Sequence, residues 1–355
     1  MTQADLDALR AQIRKLDEEI VAHAAERVEL ARRVGEIKRA GALPTVDFAQ
    51  ERLVLERARA AALERGLAPE VAEDMLAHLI RASVIAQDMD RLRHEAVGAG
   101  RKAVVVGGAG RMGRWLTKFL AAQGFDVGIL DPAASEGENS WSSEALRSAD
   151  YVICATPPAA TAALYREWVA RPPAGLVLDI ASIKTPLVEP IRALRGAGAR
   201  VASIHPMFGP SIVLLRDADV VICETGDAEA AEGAEQLFRS TTARIVRMPI
   251  EQHDRVMADV LSLAHATAIA FACALPDAAH PVRSTTFQAL EALAAAVVRE
   301  SSEVYYEVQA ENPHSAVALQ RMRAALERIG AAVRGRDAAA FGEILREGRD
   351  RTKKG

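Results

Sequence analysis

Three groupings of residues in this 355-residue chain have types and spacings suited to chemistry. The first is Lys102-Ala-Val-Val-Val-Gly-Gly-Ala-Gly-Arg-Met-Gly-Arg-Trp115, where Gly108, Gly110 and Gly113 link a strand-like run to a helical pattern. Glycines so spaced allow a tight turn, a close approach of backbone to a pyrophosphate, and close helix–strand contact. Arg111 and Met112 complete the turn, and the pyrophosphate would face the positive end of the helix that opens there. Asp131 ends the next strand-like run, Asp126 to Leu130. A carboxylate at that place accepts hydrogen bonds from ribose hydroxyls and repels a 2′-phosphate, which selects NAD over NADP.

The second grouping is cationic. Arg27 and Lys38 are eleven residues apart on one expected helix, about 16 Å and nearly on one face. Two long side chains close such a gap around a small dicarboxylate. Arg10 precedes Arg27 by seventeen residues, about 25 Å along the same helix, too far to reach that ligand from its own chain. If all three cations serve one substrate, Arg10 comes from an antiparallel partner copy. On composition alone, the ordinary reading of Arg10, Arg14, Arg27, Arg32, Arg33 and Lys38 is a solvated charged face. Ser83 and Gln87 fall one turn apart on a later helix and face the same way.

The third grouping lies in two loops after strands, Asp179-Ile-Ala-Ser-Ile-Lys184 and Ser203-Ile-His-Pro-Met-Phe-Gly-Pro-Ser211. Ligands of open α/β sheets bind at the carboxyl ends of strands. Ser182, Lys184 and His205 are therefore candidates, although a single histidine before proline is more often structural.

These residues need elements to hold them. Leu6, Leu9, Ile13, Leu16 and Ile20, then Val28, Leu30, Val34 and Ile37, recur at helical spacing and predict one helix over about 4–39. Gly41 and Pro44 stop it. Asp47, with Gln50 three residues on, resembles a capping box for a second helix that ends near Gly66, and Pro69 opens a third running to about 93. A helix this long cannot bury its apolar face against two shorter ones, so a second chain is expected against it. Gly98-Ala-Gly100 reads as a linker. Strands are expected over Ala103–Val106, Asp126–Leu130, Tyr151–Ala155, Leu176–Ile180, Val201–Ile204, Val220–Cys223 and Ala243–Val246, alternating with helices. After Pro249 the chain is Ala-rich and helical, interrupted at Leu275-Pro-Asp and Asn312-Pro. The expected fold is multidomain: an all-α region over 1–95, an α/β Rossmann-type doubly wound sheet over 101–248, and an all-α region over 249–355. The tail from Arg346 is polar and expected to fray.

The net charge of −4 argues against nucleic acid or an anionic membrane as a bulk partner. No uninterrupted apolar run approaches the roughly 18 residues of a spanning helix, and no secretory leader is recognisable. Cys154, Cys223 and Cys273 are scattered without metal-ligand spacing, so no metal is expected. A cytoplasmic protein with small buried thiols follows.

Leu6-Asp-Ala-Leu-Arg10, Ala25-Glu-Arg27-Val-Glu-Leu30, Val34-Gly-Glu-Ile-Lys38, Glu51 and Ser83-Val-Ile-Ala-Gln87 together resemble the all-helical chorismate mutases. The resemblance implies that Arg10 and Arg27 clamp carboxylates and that Lys38 and Gln87 face the ether oxygen. It implies that Asp47, Glu51 and Ser83 hold the ring hydroxyl or support the site. The glycine turn, both loops, Glu251-Gln-His-Asp254 and Leu263-Ala-His265 are similar to prephenate dehydrogenases. That implies NAD as cofactor, His205 as hydrogen-bond acceptor and nascent base on the 4-hydroxyl, Ser182 orienting that hydroxyl or the histidine, Lys184 on a carboxylate, and His265 lining the pocket. It also implies a helical C-terminal dimerisation domain. The whole chain thus resembles the bifunctional chorismate mutase–prephenate dehydrogenases and is expected to be a homodimer.

Two departures stand out. Gln50 occupies a place where the mutase family often has arginine, and Gln288 occupies that of a substrate-binding arginine in the dehydrogenases. A neutral amide does not replace a bidentate guanidinium. The second departure leaves 4-amino-4-deoxychorismate and 4-amino-4-deoxyprephenate as alternative substrates. A non-catalytic NAD-binding regulatory protein, or a mutase half serving only dimerisation or feedback sensing, are further alternatives.

Overall fold

The computed structural model describes every residue except 1, 42, 135–140, 213, 214, 217, 278–280, 354 and 355. Chain order is α1 (Gln3–Ala40), α2 (Phe48–Glu64), α3 (Pro69–Glu95), β1 (Lys102–Val106), α4 (Arg111–Ala122), β2 (Asp126–Leu130), α5 (Ser143–Ser148), β3 (Tyr151–Cys154), α6 (Pro158–Trp168), β4 (Leu176–Asp179), α7 (Val188–Gly196), β5 (Arg200–Pro206), β6 (Asp219–Glu224), α8 (Ala228–Arg239) and β7 (Arg244–Pro249). Helices complete it: α9 (Ile250–Met257), α10 (Ala264–Ala274), α11 (Thr285–Val298), α12 (Ser302–Ala310), α13 (Ser315–Arg334) and α14 (Ala338–Thr352).

Residues 1–156, 167–180 and 194–247 make one compact unit, and 157–166, 181–193 and 248–355 a second. The first unit holds the three long helices and the sheet together. Thr2 caps α1 with a full capping box. Asp47 caps α2 by accepting from the Gln50 N–H, one half of the expected reciprocal pair. Pro69 at the first turn starts α3, which ends on Ala96 in the left-handed region (φ 37°). α1 lies on α3 yet has no buried residue. Leu9, Ile13, Leu16 and Ile20 expose 48–57% of their surface.

The sheet has seven strands in the order β2-β1-β3-β4-β5-β6-β7. β2 through β5 are parallel, and β6 runs antiparallel to β5 with His205 opposite Val221. The parallel order of the doubly wound sheet therefore stops at β5. Twelve residues join Pro206 to Asp219, and the described ones among them form no helix of the kind a parallel crossover uses. Val104, Val105, Val152, Ile153, Leu178 and Ile204 are fully buried, as strands covered on both faces should be. The aromatic rings of Trp115, Phe119 and Phe238 stack in series within this core.

In the second unit, α9, a π-helical turn over Ala258–Leu263 and α10 form one continuous stretch. Ile250–Ala274 is long and apolar enough to cross a membrane by length and composition, with 22% of its apolar window buried. That corrects the expectation that no apolar run approaches such a length: from Val260 to Ala274 no Asp, Glu, Lys or Arg occurs, and only Ser262, His265 and Thr267 break the apolar sequence. α10 packs on α11 through Phe271 and Phe287. The Ser262 and Ser315 hydroxyls, 2.7 Å apart, join the π turn to α13. Two smaller expectations also change: the tail is helical through Thr352, and Cys273 is exposed while Cys154 and Cys223 are buried.

Two candidate active sites

In the helical half, α1 and α3 bring the expected cations to polar partners. Nη1 of Arg27 donates to the Ser83 hydroxyl at 2.9 Å and to the Leu79 carbonyl at 3.0 Å. Burial pushes its pKa down from the ordinary guanidinium value. Ser83 and Gln87 are themselves buried, at 5% and 9% exposure, and Gln87 donates to the Ala31 carbonyl at 2.6 Å. Gly35 lets this amide close on α1, since a Cβ there would stand 2.7 Å from Gln87 Cγ. Lys38 and Gln87 line one cavity of about 530 Å³ together with Arg39, Thr45 and Arg91. Lys38 Nζ donates to the Thr45 carbonyl at 3.0 Å, and Arg91 donates to the Thr45 hydroxyl at 3.4 Å and to Glu95 at 2.7 Å.

The remaining mutase candidates are placed differently. Arg10 is exposed and lies 3.5 Å from Asp7 on its own helix. Asp47 is engaged as the α2 cap. Glu51 accepts two hydrogen bonds from Arg216, at 2.9 and 2.7 Å, in the loop before β6, and the Arg216 head also lies over the Phe48 ring. Arg91, one turn beyond Gln87, is a cation that sequence reasoning missed; its i+4 spacing from Gln87 was the available signal.

The glycine turn follows β1 directly. Gly107 takes the left-handed conformation (φ 80°), so the turn residue proper precedes the three-glycine pattern. A Cβ on Gly113 would stand 2.2 Å from the Gly107 carbonyl oxygen, which explains the bare helix–strand contact. Gly110 caps α4 without a side chain that accepts hydrogen bonds. The first N–H groups of α4 thus have no side-chain cap and no intrahelical acceptor. Arg111 is exposed and Met112 half-buried in the first turn. Asp131 sits beside the loop, accepting from the Ala109 N–H at 3.0 Å and the Ala133 N–H at 2.8 Å. A turn in which Gly107, Gly108 and Gly110 carry no Cβ, an uncapped helix start and a carboxylate held next to them fit a dinucleotide. His205 is 4% exposed near the end of β5 in the same unit.

The second unit holds the other candidates. Ser182 is half-buried and Lys184 fully buried, on the segment leading to the short 3₁₀ turn Thr185–Leu187. That segment is clamped by Asp254, which accepts from the Lys184 N–H at 2.9 Å, the Thr185 N–H at 2.7 Å and the Thr185 hydroxyl at 2.6 Å. His253 Nδ1 donates to the same carboxylate at 2.7 Å, and the Asn312 amide donates to the Asp254 carbonyl at 2.7 Å. Sequence reasoning used His253 and Asp254 only as landmarks; their partners lie about seventy residues away in sequence.

Burial pushes the Asp254 carboxyl up, but hydrogen bonds from His253, Thr185 and the Lys184 and Thr185 backbone outweigh it and lower its pKa from 3.8 to about 2. A depressed folded-state pKa adds stability that is complete above the unfolded value and lost as pH falls through the folded one. The clamp should therefore weaken between about pH 4 and pH 2. Asp254→Asn should lose about 2 kcal/mol at neutral pH and show a flatter decline across that acid window in chemical-denaturation curves.

His265 lies on α10, half-buried, 4.4 Å edge-on to the Tyr305 ring, with a buried Nδ1 that lacks a hydrogen-bond partner among the described residues. Burial lowers its pKa from the ordinary imidazole value. Gln288 is exposed on α11.

Residues 9–88 match the chorismate mutase type II family, and residues 118–247 match the nucleotide-binding domain of prephenate dehydrogenase, a match that starts within α4 after the glycine turn. Helical mutase and nucleotide-binding dehydrogenase are thus joined in one polypeptide. The T-protein of Enterobacter agglomerans is 30% identical over 277 residues, spanning 77% of this chain and 72% of that protein. The 4-amino-4-deoxyprephenate dehydrogenase of Streptomyces pristinaespiralis is 30% identical over 270 residues, 69% of this chain and 89% of that protein. In fold, the crystal structure of prephenate dehydrogenase from A. aeolicus, in complex with hydroxyphenyl propionate and NAD+, aligns with a TM-score of 0.57 at 17% identity, covering 72% of this chain and 98% of that one. The chain belongs to the T-protein family of bifunctional chorismate mutase–prephenate dehydrogenases.

Proposed function

We propose that the chain rearranges chorismate to prephenate in residues 1–95 and oxidatively decarboxylates prephenate to 4-hydroxyphenylpyruvate with NAD in residues 101–355, with 101–248 binding the nucleotide. The observation that carries this reading is the cavity walled by Lys38 and Gln87, with the Arg27–Ser83 pair on the same two helices, in the same chain as the uncapped glycine turn.

The rearrangement is unimolecular and needs no nucleophile. The site must hold two carboxylates so that the enolpyruvyl arm folds over the ring, and it must stabilise charge growing on the ether oxygen. Arg27 and Arg10 of a partner copy hold the carboxylates, and Lys38 and Gln87 donate to the ether oxygen. Asp47, Glu51 and Ser83 support the ring hydroxyl and the Arg27 head. Arg91 supplies a further cation where Gln50 supplies none. Arg91→Ala should raise KM for chorismate about tenfold or more with a smaller change in kcat, read from the loss of chorismate absorbance.

The backbone of Gly108, Gly110 and Gly113, with Arg111 and Met112, would hold the pyrophosphate of NAD and Asp131 its ribose hydroxyls, and the bound cofactor would supply the hydride acceptor for ring C4 of prephenate. Neutral His205 accepts the proton of the 4-hydroxyl as the ring carboxylate leaves as CO2 and the ring becomes aromatic. Ser182 orients that hydroxyl, Lys184 holds a carboxylate, and His265 and Gln288 contact the substrate. The exposed apolar face of α1 and the apolar α10–α11 pair support a homodimer, working in the cytoplasm.

Gln288, together with the Streptomyces relative, favours a second reading in which the substrates are the 4-amino-4-deoxy analogues. NADH formation by the purified chain on prephenate and on 4-amino-4-deoxyprephenate separates the two. The first reading expects prephenate to give the larger kcat/KM, and the reverse order would install the second. NAD binding without oxidation of either compound would leave a regulatory protein.

A further inference from the structure

Arg216 belongs to the connection between β5 and β6, which follows the strand carrying His205, yet its head reaches the helical half. Its two terminal nitrogens donate in parallel to the two Glu51 oxygens, at 2.9 and 2.7 Å, on the first turn of α2. The guanidinium also lies 5.5 Å from the centre of the Phe48 ring, one turn back on that helix. Both members of the pair are largely withdrawn from water, with side-chain exposures of 15% for Arg216 and 19% for Glu51. The pairs Arg32–Asp90, Arg59–Glu73 and Arg91–Glu95 stay within α1–α3. Glu51 instead draws its cation from the nucleotide-binding region. Its carboxylate is held by a fork and charge-matched, in a place where water screens little.

Under the mutase reading, on which this proposal rests, Glu51 supports the hydroxyl at ring C4 of chorismate. The same ring carbon is where the two candidate substrates differ. Chorismate carries a neutral hydroxyl there, and 4-amino-4-deoxychorismate an amine that is protonated at neutral pH. A lone carboxylate attracts an ammonium far more strongly than a hydroxyl. A carboxylate matched by a guanidinium still accepts from a hydroxyl through its remaining lone pairs. Its charge is then cancelled, and the guanidinium repels an incoming ammonium. We propose that Arg216 is a positioning and specificity-determining residue of the mutase reaction. It fixes the Glu51 carboxylate for the C4 substituent and, by cancelling its charge, selects the hydroxyl over the amine. The dehydrogenase half thus supplies a determinant of substrate choice to the mutase half.

Steady-state kinetics of the full chain on chorismate and on 4-amino-4-deoxychorismate, without NAD, test this through the ratio of the two kcat/KM values. Arg216→Met leaves Glu51 unmatched and should shift the ratio toward the amine by about tenfold or more. KM for chorismate should rise severalfold with a smaller change in kcat. Arg216→Lys restores the charge without the fork, and should bring the ratio back to within about threefold of wild type while the chorismate KM stays raised. Glu51→Gln leaves the cation unmatched and should move the ratio away from the amine by about tenfold. The double variant Glu51→Gln/Arg216→Met, with both charges gone, should return near the wild-type ratio. Binding of NAD by each variant reports that its fold is kept, and Glu51→Gln carries the test if Arg216→Met does not fold. A merely structural Arg216 would lower turnover of both compounds alike. A ratio unmoved in Arg216→Met and in Glu51→Gln, or moved as far in Arg216→Lys as in Arg216→Met, overturns the proposal and leaves the mutase reading standing. A wild-type chain that rearranges neither compound removes that reading, and the proposal with it.

Discussion

Arg27→Ala is expected to abolish measurable chorismate turnover while leaving prephenate oxidation at the wild-type rate. The Arg27 head is tied to α3, through Ser83 and the Leu79 carbonyl, so its position is fixed before substrate arrives. Its guanidinium is partly desolvated, as its lowered pKa records, and a desolvated cation attracts a carboxylate more strongly than an exposed one. Truncating one partner of a buried charged pair costs about 2–5 kcal/mol, and here the same contact also preorganises the reacting chain. A fall of about a hundred- to a thousandfold in kcat/KM follows. Arg10 sharpens the test, because it points to no site on its own chain and pairs only locally with Asp7. Arg10→Ala should match Arg27→Ala in effect. Mixed dimers of the two variants should regain about a quarter of the sites, since each heterodimer rebuilds one site from its two intact residues. No regain on mixing would remove the shared site.

The second large effect is at His205. His205→Asn should lower prephenate oxidation about a hundred- to ten-thousandfold and leave NAD binding and chorismate turnover unchanged. Asparagine keeps a polar side chain of similar reach but cannot take up the hydroxyl proton. The position itself is rigid: His205 is 4% exposed on β5, and its backbone is registered against Val221 of β6. A merely structural histidine would instead show equal losses in stability and in both activities.

The sequence disclosed those features whose causes are local. Helical spacing and the Gly41–Pro44 stop place α1 to within a residue or two, and Asp47 caps α2 as its side chain demands. The glycine turn was legible because each glycine meets backbone or a strand side chain. Its positive-φ member, Gly107, was hidden, since two adjacent glycines look alike in sequence. What the sequence withheld depends on distant partners. Asp254 clamps the Lys184–Thr185 backbone across about seventy residues, and Arg216 captures Glu51 across 165. The antiparallel direction of β6 is hidden because strand patterning marks a strand and not the sense in which it pairs. The apolar part of Ile250–Ala274 is broken by Ser262, His265 and Thr267, and so it escapes a search for unbroken runs.

The central claim is that one chain makes prephenate and then consumes it. The purified protein given chorismate alone should accumulate prephenate, and addition of NAD should then yield NADH, CO2 and 4-hydroxyphenylpyruvate in equal amounts from that pool. Chorismate that persists unchanged without NAD, or prephenate that builds up untouched in its presence, would contradict the account.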